Sequence, residues 1–517
     1  MLDSIPQYLV TDVTLPNDEL PSTDSLSPAI ESTDRVSPDL LLTNSTQSPI
    51  SVEIIKDYQS EWIRTELNSR SMSAQELAVT YCNYGQNLIE AQEYEQARSS
   101  YHIAVECAPQ MATAHLGLAL SHYHLHDHEG ALVAIDRAIE CDPLQVNFYY
   151  QRALISKFLR NYFQVLADCR RVLEYSPHHH AARWLNAVAL VKTGNYQVAL
   201  FNLNQHIDFA PEDSGAYCYR GICHERLEKF SLAIIDFDRA ISLKPSQSTL
   251  YHARGRAYQQ LENLSNALLD FTRAIELNPH VAALYDDRAE IHRRQGNYLA
   301  AITDGDRAIE LNPKFVDAYF RRGLTHSELG DLELALADYN RTIDLEPQHV
   351  KSYIQRSWIY FRQNKYRQAK QDCQAVRSFD QVCFCANYML GVINSLSGLK
   401  HNAIGNFSKS IEIFPYYVSA RYHRGLLYYD LGERDKAMVD FKQAREIQDR
   451  GLERLVDRDE TGFYAEGMAL YYLGQPESAR TVLTLGALAA KRFNNPDFYQ
   501  QVLFSIEALG LVSSELT

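Results

Sequence analysis

The sequence has little of what membrane-spanning, secreted and nucleic-acid-binding proteins need. It contains no run of about 18 apolar residues, so we expect no transmembrane segment. The opening residues Met1-Leu2-Asp3-Ser4 are not basic and no apolar core follows them, so we expect no secretory signal peptide. The 50 basic and 65 acidic residues give a net charge of −15, which would repel nucleic-acid phosphates. We therefore expect no nucleic-acid partner.

The sequence also lacks the short motifs that mark common catalytic and cofactor sites. We find no Walker loop, no G-x-G-x-x-G, no H-E-x-x-H and no G-x-S-x-G. The nine cysteines are odd in number and scattered, which favours a reduced, cytoplasmic chain over a disulfide framework. Cys383 and Cys385 form a C-x-C without a second cysteine pair, so they are a weak zinc motif. We expect no cofactor, and a small-molecule ligand is not indicated.

Histidines alternate at positions 122, 124, 126 and 128, and three more stand together at 178–180. Histidine is a common metal ligand, so a metal site is one interpretation. Alternate residues of a helix, however, point in different directions. We therefore favour packing roles for these histidines and expect no metal site.

The first part of the chain differs in composition from the rest. Residues 1–51 are rich in Ser, Thr and Pro, and the first 50 include eight acidic residues against Arg35 alone as a basic one. Such a segment cannot bury enough apolar surface to offset its ordering entropy, so we predict a disordered acidic tail. Residues 52–77 follow, with Ile55, Tyr58 and Trp62 on one helical face, and we predict an amphipathic helix there.

Prolines then recur at a constant interval of 34 residues. They stand at positions 109, 143, 177, 211, 245, 279, 313 and 347, and again at 415 after one missed interval. A fixed period of this length indicates tandem structural repeats. We number the places of each 34-residue frame from 1 to 34, starting at residue 78. Each proline falls at place 32, where it ends the second of two helical patterns.

The side chains inside each frame resemble a known family. The frame from residue 248 has an aromatic residue, a small residue and a second aromatic residue, followed by Ala, an aromatic residue, Ala and Pro. This pattern resembles the tetratricopeptide repeat, and it is carried by Tyr251, Gly255, Tyr258, Ala267, Phe271, Ala274 and Pro279.

The resemblance implies an all-α fold, a right-handed superhelical solenoid of stacked helix-turn-helix repeats. We predict eleven repeats over residues 78–451. Residues 452–517 are expected to hold a degenerate twelfth repeat (460–493) and a C-terminal capping helix (496–510), which would protect the end of the stack from water. The frames 146–179 and 180–213 depart most from the pattern, so we expect them to pack less tightly.

Arginine and aspartate vary together between frames. Arg stands at place 7 in seven frames and Asp at place 23 in the same seven, whereas the four frames without the Arg also lack the Asp. Such covariation indicates contact. We therefore predict structural Arg–Asp pairs joining the two helices of a repeat, formed by Arg152–Asp168, Arg220–Asp236, Arg254–Asp270, Arg288–Asp304, Arg322–Asp338, Arg356–Asp372 and Arg424–Asp440.

The inner surface of the predicted solenoid would be lined by the first helix of each repeat, as the resemblance implies. Places 2, 5, 9 and 12 share one stripe of that helix. Many of these residues are apolar or aromatic, which is typical of binding surfaces. We predict partner binding by Leu116, Leu120, Tyr123, Tyr150, Trp184, Val188, Phe320, Ile354, Trp358, Phe361, Tyr388, Tyr422 and Tyr429. The alternative is that the protein covers these residues itself, through tight curvature or the 52–77 helix.

The predicted function is a non-catalytic scaffold or adaptor that binds a helical or extended segment of a protein partner on its concave face. The repeats occupy nearly all of the folded chain and leave no room for a catalytic domain, so an enzyme is a remote alternative. An assembly factor that transiently shields unassembled subunits is the other alternative. Stable capture of one partner would favour the adaptor, and transient capture of several subunits would favour the assembly factor.

Overall fold

The computed structural model of the protein describes residues 73–450, 460–492 and 495–511. The predicted tail 1–51 and residues 52–72 of the predicted N-terminal helix lie outside these ranges. The described residues contain α-helices and no β-strand. Two compact units are distinguished, one ending at Pro279 and the other beginning at His280.

The first unit contains twelve described helices, arranged as six antiparallel pairs. The first helix begins with a capping box in which Ser73 and Glu76 bond each other's backbone. The pairs are α1 Ala74–Glu90 with α2 Tyr94–Cys107, α3 Ala112–His124 with α4 His128–Cys141, α5 Val146–Phe158 with α6 Tyr162–Tyr175, α7 His180–Lys192 with α8 Tyr196–Phe209, α9 Ser214–Arg226 with α10 Phe230–Leu243, and α11 Ser248–Gln260 with α12 Leu264–Leu277.

The second unit contains thirteen described helices. They are α13 Ala282–Arg294, α14 Tyr298–Leu311, α15 Val316–Leu329, α16 Leu332–Leu345, α17 Val350–Arg362, α18 Tyr366–Phe379, α19 Phe384–Leu396, α20 Lys400–Ile413, α21 Val418–Asp430, α22 Arg434–Asp449, α23 Glu460–Tyr472, α24 Pro476–Arg492 and α25 Pro496–Ala508. The predicted all-α fold of stacked helix-turn-helix repeats is confirmed in both units. Among the described residues, no helix combines the length and apolar character needed to cross a membrane.

The turn inside each pair contains one residue with left-handed backbone geometry. It stands at place 15 in all eleven frames and is glycine in five of them, for example Gly330 with φ +87°. Glycine adopts this geometry without steric cost. In the other six frames the residue is Gln92, His126, Arg160, Glu228, Glu262 or Asn364. The turn geometry is therefore constant although its residue is not.

The two helices of a pair touch through places 8 and 24. Where place 8 is glycine, place 24 is a large ring, as in Gly221 with Phe237, and a Cβ added at Gly221 would lie 2.6 Å from that ring. Where place 8 is alanine, place 24 is smaller, as in Ala187 with Leu203. All four of these residues have buried side chains or backbone. The sizes of the two residues therefore compensate each other, as close packing requires.

Candidate functional site

The seven predicted Arg–Asp pairs all lie within hydrogen-bonding distance. In the pair Arg152–Asp168, Nε donates to Oδ2 at 2.9 Å and Nη2 donates to Oδ1 at 2.7 Å. The same forked geometry joins the other six pairs. Each aspartate is buried, and hydrogen bonding to Asp168 raises the pKa of Arg152. Such bidentate bonds orient the two helices of a repeat.

Most of these arginines also bond the preceding repeat, which the sequence comparison missed. Nη1 of Arg152 donates to Asp136 at 2.8 Å, and Nη1 of Arg322 donates to Asp306 at 2.6 Å. The acceptor always stands at place 25 of the preceding frame, and Arg220, Arg254, Arg356 and Arg424 use it in the same way. The acceptors include Asp, Asn and Ser, so no single residue type marked the position. We call the three-residue arrangement the clamp.

The structure buries most of the residues predicted to bind a partner. Tyr388, for example, is 1% exposed, and its hydroxyl lies 3.1 Å from Oγ1 of Thr461. Trp358 is 3% exposed and packs in one apolar cluster with Tyr388. The buried members of the predicted set are Leu116, Leu120, Val188, Phe320, Ile354, Trp358, Phe361, Tyr388 and Tyr422.

The expectation that these nine side chains form an exposed apolar face is therefore wrong. The physical reason is that the neighbouring helices of each unit pack closely enough to cover them. Val188 lies in one cluster with Cys218 and Ile222 of α9, and Phe320 lies in one cluster with Ile359 of α17. The alternative that the stacked repeats themselves cover the inner residues accounts for these positions.

Four residues of the predicted set remain partly exposed, namely Tyr123, Tyr150, Trp184 and Tyr429. Tyr429 stacks on Tyr472 with ring centroids 4.0 Å apart. The other three belong to the first unit, on the consecutive first helices α3, α5 and α7. We call Tyr123, Tyr150, Trp184 and their neighbour Phe158 the aromatic strip.

Two rings of the aromatic strip contact each other, and histidines pack against the strip. Tyr123 and Phe158 meet edge to face at 5.3 Å, and Phe158 is 40% exposed. His128 stacks on Phe158 at 4.9 Å, and His179 lies 4.8 Å from the ring of Tyr150. Burial lowers the pKa of His128 and of His179, which favours their neutral form. The strip therefore presents mainly uncharged aromatic rings.

Cations flank the aromatic strip. Lys157 and Lys192 lie in the last turns of α5 and α7, and Nζ of Lys157 is 5.9 Å from the ring of Phe158. Burial, together with the charges of Arg160 and Lys157, lowers the pKa of Lys192 to about 8. Basic side chains are thus grouped on neighbouring first helices in a chain whose net charge is −15. Such a local reversal of sign attracts an anionic ligand.

A second polar group lies on the first helices of the second unit and is largely buried. Glu290 accepts bonds from Arg293 at 2.9 and 3.0 Å and from Arg294 at 2.8 Å, and Arg293 also pairs with Glu328. Arg321 lies 3.1 Å from Oδ2 of Asp286. These charged side chains are largely buried and paired with one another, so their charges are already neutralised within the protein. We therefore treat this group as structural.

Asp286 in this group is expected to make stability depend on pH. Burial raises its pKa to about 7, although Arg321 opposes the shift, and Oδ1 has no hydrogen-bond partner among the described residues. A raised pKa in the folded state means that stability is fully present below the unfolded value of 3.8 and is lost as the pH rises through about 7. The difference in unfolding free energy between Asp286→Asn and wild type should therefore shift in favour of the variant, by on the order of 2 kcal/mol, as the pH rises from 5 to 8.

Urea denaturation at the two pH values measures this difference. Asp344→Asn removes an exposed aspartate from α16 and serves as the control. A difference between Asp286→Asn and wild type that stays constant with pH would contradict the assignment.

The histidines that alternate in the sequence have different partners, and the cysteines are free thiols. Nδ1 of His122 lies 2.7 Å from Asp127, while His124 stacks on Tyr94 at 4.5 Å. Burial raises the pKa of Cys218 and of Cys373 to about 12, so both thiols stay protonated at neutral pH. No group of three or more His, Cys, Asp or Glu side chains in the described ranges is placed to hold a metal ion.

Five protein-family models match the sequence. Four are described as tetratricopeptide repeat and match residues 84–145, 248–281, 316–349 and 418–449. The fifth, described as TPR repeat, matches residues 289–330. A comparison with curated proteins gives no match.

Solved structures with similar folds include several repeat proteins. A tetratricopeptide repeat protein from Parabacteroides merdae is 18% identical, with a TM-score of 0.40 over 50% of this chain and 98% of its own. Yeast Tom70 is 15% identical, with a TM-score of 0.38 over 84% and 96%. YrrB, titled a TPR protein with an unusual peptide-binding site, is 20% identical, with a TM-score of 0.31 over 36% and 95%. The fold assignment rests on the helix pairs and the family models.

Proposed function

This chain is a tetratricopeptide repeat protein, and we propose that it is a non-catalytic scaffold that binds an acidic, apolar segment of a protein partner along the aromatic strip. The observation that carries the proposal is the exposure of the strip beside three cations. Tyr123, Tyr150 and Trp184 are the members of the predicted binding set in the first unit that neighbouring helices leave partly open.

The chemistry of the strip indicates what the partner segment contains. Aromatic rings bury large apolar side chains with little loss of conformational entropy, so at least one large apolar residue should lie against Phe158. Lys157, Arg160 and Lys192 would pair with carboxylates beside that residue. Burial, with a smaller contribution from the charges of Arg160 and Lys157, lowers the pKa of Lys192, and a carboxylate bound beside it would favour its charged form.

A synthetic peptide tests the proposal directly. The probe is a labelled 16-residue peptide with alternating Glu and Phe or Leu, compared with the same peptide carrying Lys in place of Glu. We expect the full chain to bind the acidic peptide with a Kd in the micromolar range. The double substitution Lys157→Glu, Lys192→Glu should weaken binding about tenfold or more, since each lost charge contact contributes of order 1 kcal/mol. Fluorescence anisotropy at low and high salt measures both effects.

A charge-matched control separates this site from the general field of the protein. Lys409→Glu with Lys442→Glu makes the same change in net charge at exposed positions of the second unit. Equal loss of binding in both double variants would show that the attraction is nonspecific and would overturn the proposal. Equal binding of the acidic and basic peptides would do the same.

The assembly-factor alternative uses a different property of the surface. Transient shielding of several subunits needs a broad exposed apolar face, and nine of the thirteen predicted residues are buried. The structure therefore favours a narrow site for a defined segment. A cytoplasmic location stays a prediction from the composition.

A further inference from the structure

Three described junctions lack the arginine of the clamp, with Leu118, Asn186 or Leu390 at place 7, and the junction at Asn186 differs from the other two. In a junction with the clamp, the arginine at place 7 lies between two acceptors, place 23 of its own repeat and place 25 of the preceding repeat. We call the space between these two acceptors the slot. At the junction of α6 with the pair α7 and α8, place 7 is Asn186, whose side chain is too short to reach across the slot. Place 23 is Asn202, which donates to the carbonyl of Val198 in its own helix at 3.2 Å. Nothing therefore bridges these two repeats in the manner of Arg152.

The other described junctions without the arginine are filled in a different way. Leu118 and Leu390 occupy place 7 there, and they are 7% and 2% exposed. An apolar side chain thus takes up the space that the guanidinium fills elsewhere. Asn186 is only partly buried, so its junction stays open.

The open junction forms a groove with an apolar floor. It is lined by Leu166, Arg170, Leu173, Glu174, Asn186, Leu190 and Val198. Exposed apolar side chains adjoin it on the second helices, with Val198 54%, Phe201 63% and Phe163 79% exposed. Exposed apolar side chains on the helices that border a groove often mark an interaction site.

The charge at the groove is reversed relative to the clamps. Place 25 carries a hydrogen-bond acceptor such as Asp136 or Asn204 in the junctions with a clamp, but here it carries Arg170. Arg170 is exposed and has no ion-pair partner among the described residues, and the same holds for Glu174 one turn further along α6. One rim of the groove therefore offers a free cation and, about 6 Å along the helix, a free anion.

We propose that this groove docks an amphipathic helix of a protein partner. Its leucine-type ridge enters the groove beside Asn186, its carboxylate pairs with Arg170, and a lysine or arginine one turn away pairs with Glu174. The ridge takes the space that Leu118 and Leu390 fill in their junctions. This site is formed by α6, α7 and α8, and it is separate from the aromatic strip because none of the strip's four residues lines the groove. It would give the scaffold a second binding surface.

A designed helical peptide is the probe. It is an alanine-based, fluorescein-labelled 18-residue helix with leucines at every third or fourth position, and with Glu and Lys spaced four residues apart on the flank. We expect the full chain to bind it with a Kd of tens of micromolar, measured by anisotropy. Asn186→Leu copies the natural Leu118 and Leu390 junctions, so the protein should stay folded and binding should fall at least tenfold.

Reversal of the charge provides the second test. Arg170→Glu should weaken binding of the peptide about fivefold or more, and replacing the peptide's Glu by Lys should restore it. The double variant Lys157→Glu, Lys192→Glu should leave this binding unchanged, which separates failure of this inference from failure of the aromatic-strip proposal.

Three results would overturn the inference. The first is unchanged peptide binding by Asn186→Leu, and the second is no measurable binding by wild type at millimolar peptide. The third is concentration-dependent dimerisation in sedimentation velocity that Phe201→Asp abolishes, because the occupant would then be a second copy of this chain.

Discussion

Replacing Arg152 by alanine is expected to lower the free energy of unfolding by about 3 kcal/mol. The substitution removes both forked bonds to Asp168 and the third bond to Asp136. Asp168 is 2% exposed, so its carboxylate would be left charged, buried and unpaired by an arginine. That desolvation cost, rather than the attraction itself, accounts for most of the loss. Urea denaturation measures the total, and hydrogen exchange of the α5 and α6 amides locates it.

Two companion variants make the result specific to the clamp. Arg137→Ala breaks an exposed pair with Glu140 in the same unit and should cost less than about 1 kcal/mol. Arg152→Lys keeps the charge but loses the fork, so its loss should fall between the two. If Arg152→Ala were no more destabilising than Arg137→Ala, the clamp would be a surface pair and the assigned role would be wrong.

Adding one methyl group at Gly221 is expected to cost about 2 kcal/mol. The new Cβ of Gly221→Ala would lie 2.6 Å from Cε1 of Phe237, whose side chain is fully buried. The two helices of the pair must separate or the ring must leave its rotamer. Thermal or urea denaturation of the variant measures the loss.

The next repeat toward the N-terminus supplies the rescue. Ala187 and Leu203 occupy the same two places there, so Gly221→Ala combined with Phe237→Leu reproduces a pair that the protein already uses. The double variant should be more stable than Gly221→Ala alone, although Phe237→Leu alone is destabilising. Gly405→Ala is the control, because no atom lies within 4 Å of the added Cβ. Additive losses in the double variant would show that the two places are not in contact.

The two predictions use information of different kinds. The Arg–Asp pairs could be predicted because both partners keep one identity in seven frames. The compensation between places 8 and 24 was missed, although the signal is present in the sequence: Gly221 stands with Phe237, and Ala187 with Leu203. It is a covariation of size rather than of residue type. The third bond of the clamp was missed because its acceptor changes among Asp, Asn and Ser.

The candidate site was identified from the exposed fraction of each side chain, which cannot be predicted from the pattern of residues in the repeats. Trp184 and Trp358 stand at related inner places of their repeats, yet the first is partly exposed and the second is 3% exposed. The difference arises from their neighbours: Trp358 packs beside Tyr388 and Phe361, whereas Trp184 meets His206 and Tyr219 at the edge of a cluster. How closely adjacent helices approach sets the exposure, and that distance is a property of the assembled unit.

The sequence by itself determined the local architecture of this protein. The 34-residue interval of the prolines, the two helical patterns in each frame and the Arg–Asp covariation all concern residues separated by a constant number of positions, and local geometry converts such a separation into contact. Only the tertiary structure decided which inner side chains stay exposed to a partner. It also decided which of the junctions without the clamp arginine is left unfilled. Both depend on side-chain volumes contributed by neighbouring repeats, since close packing is satisfied by the sum of those volumes and not by any one residue.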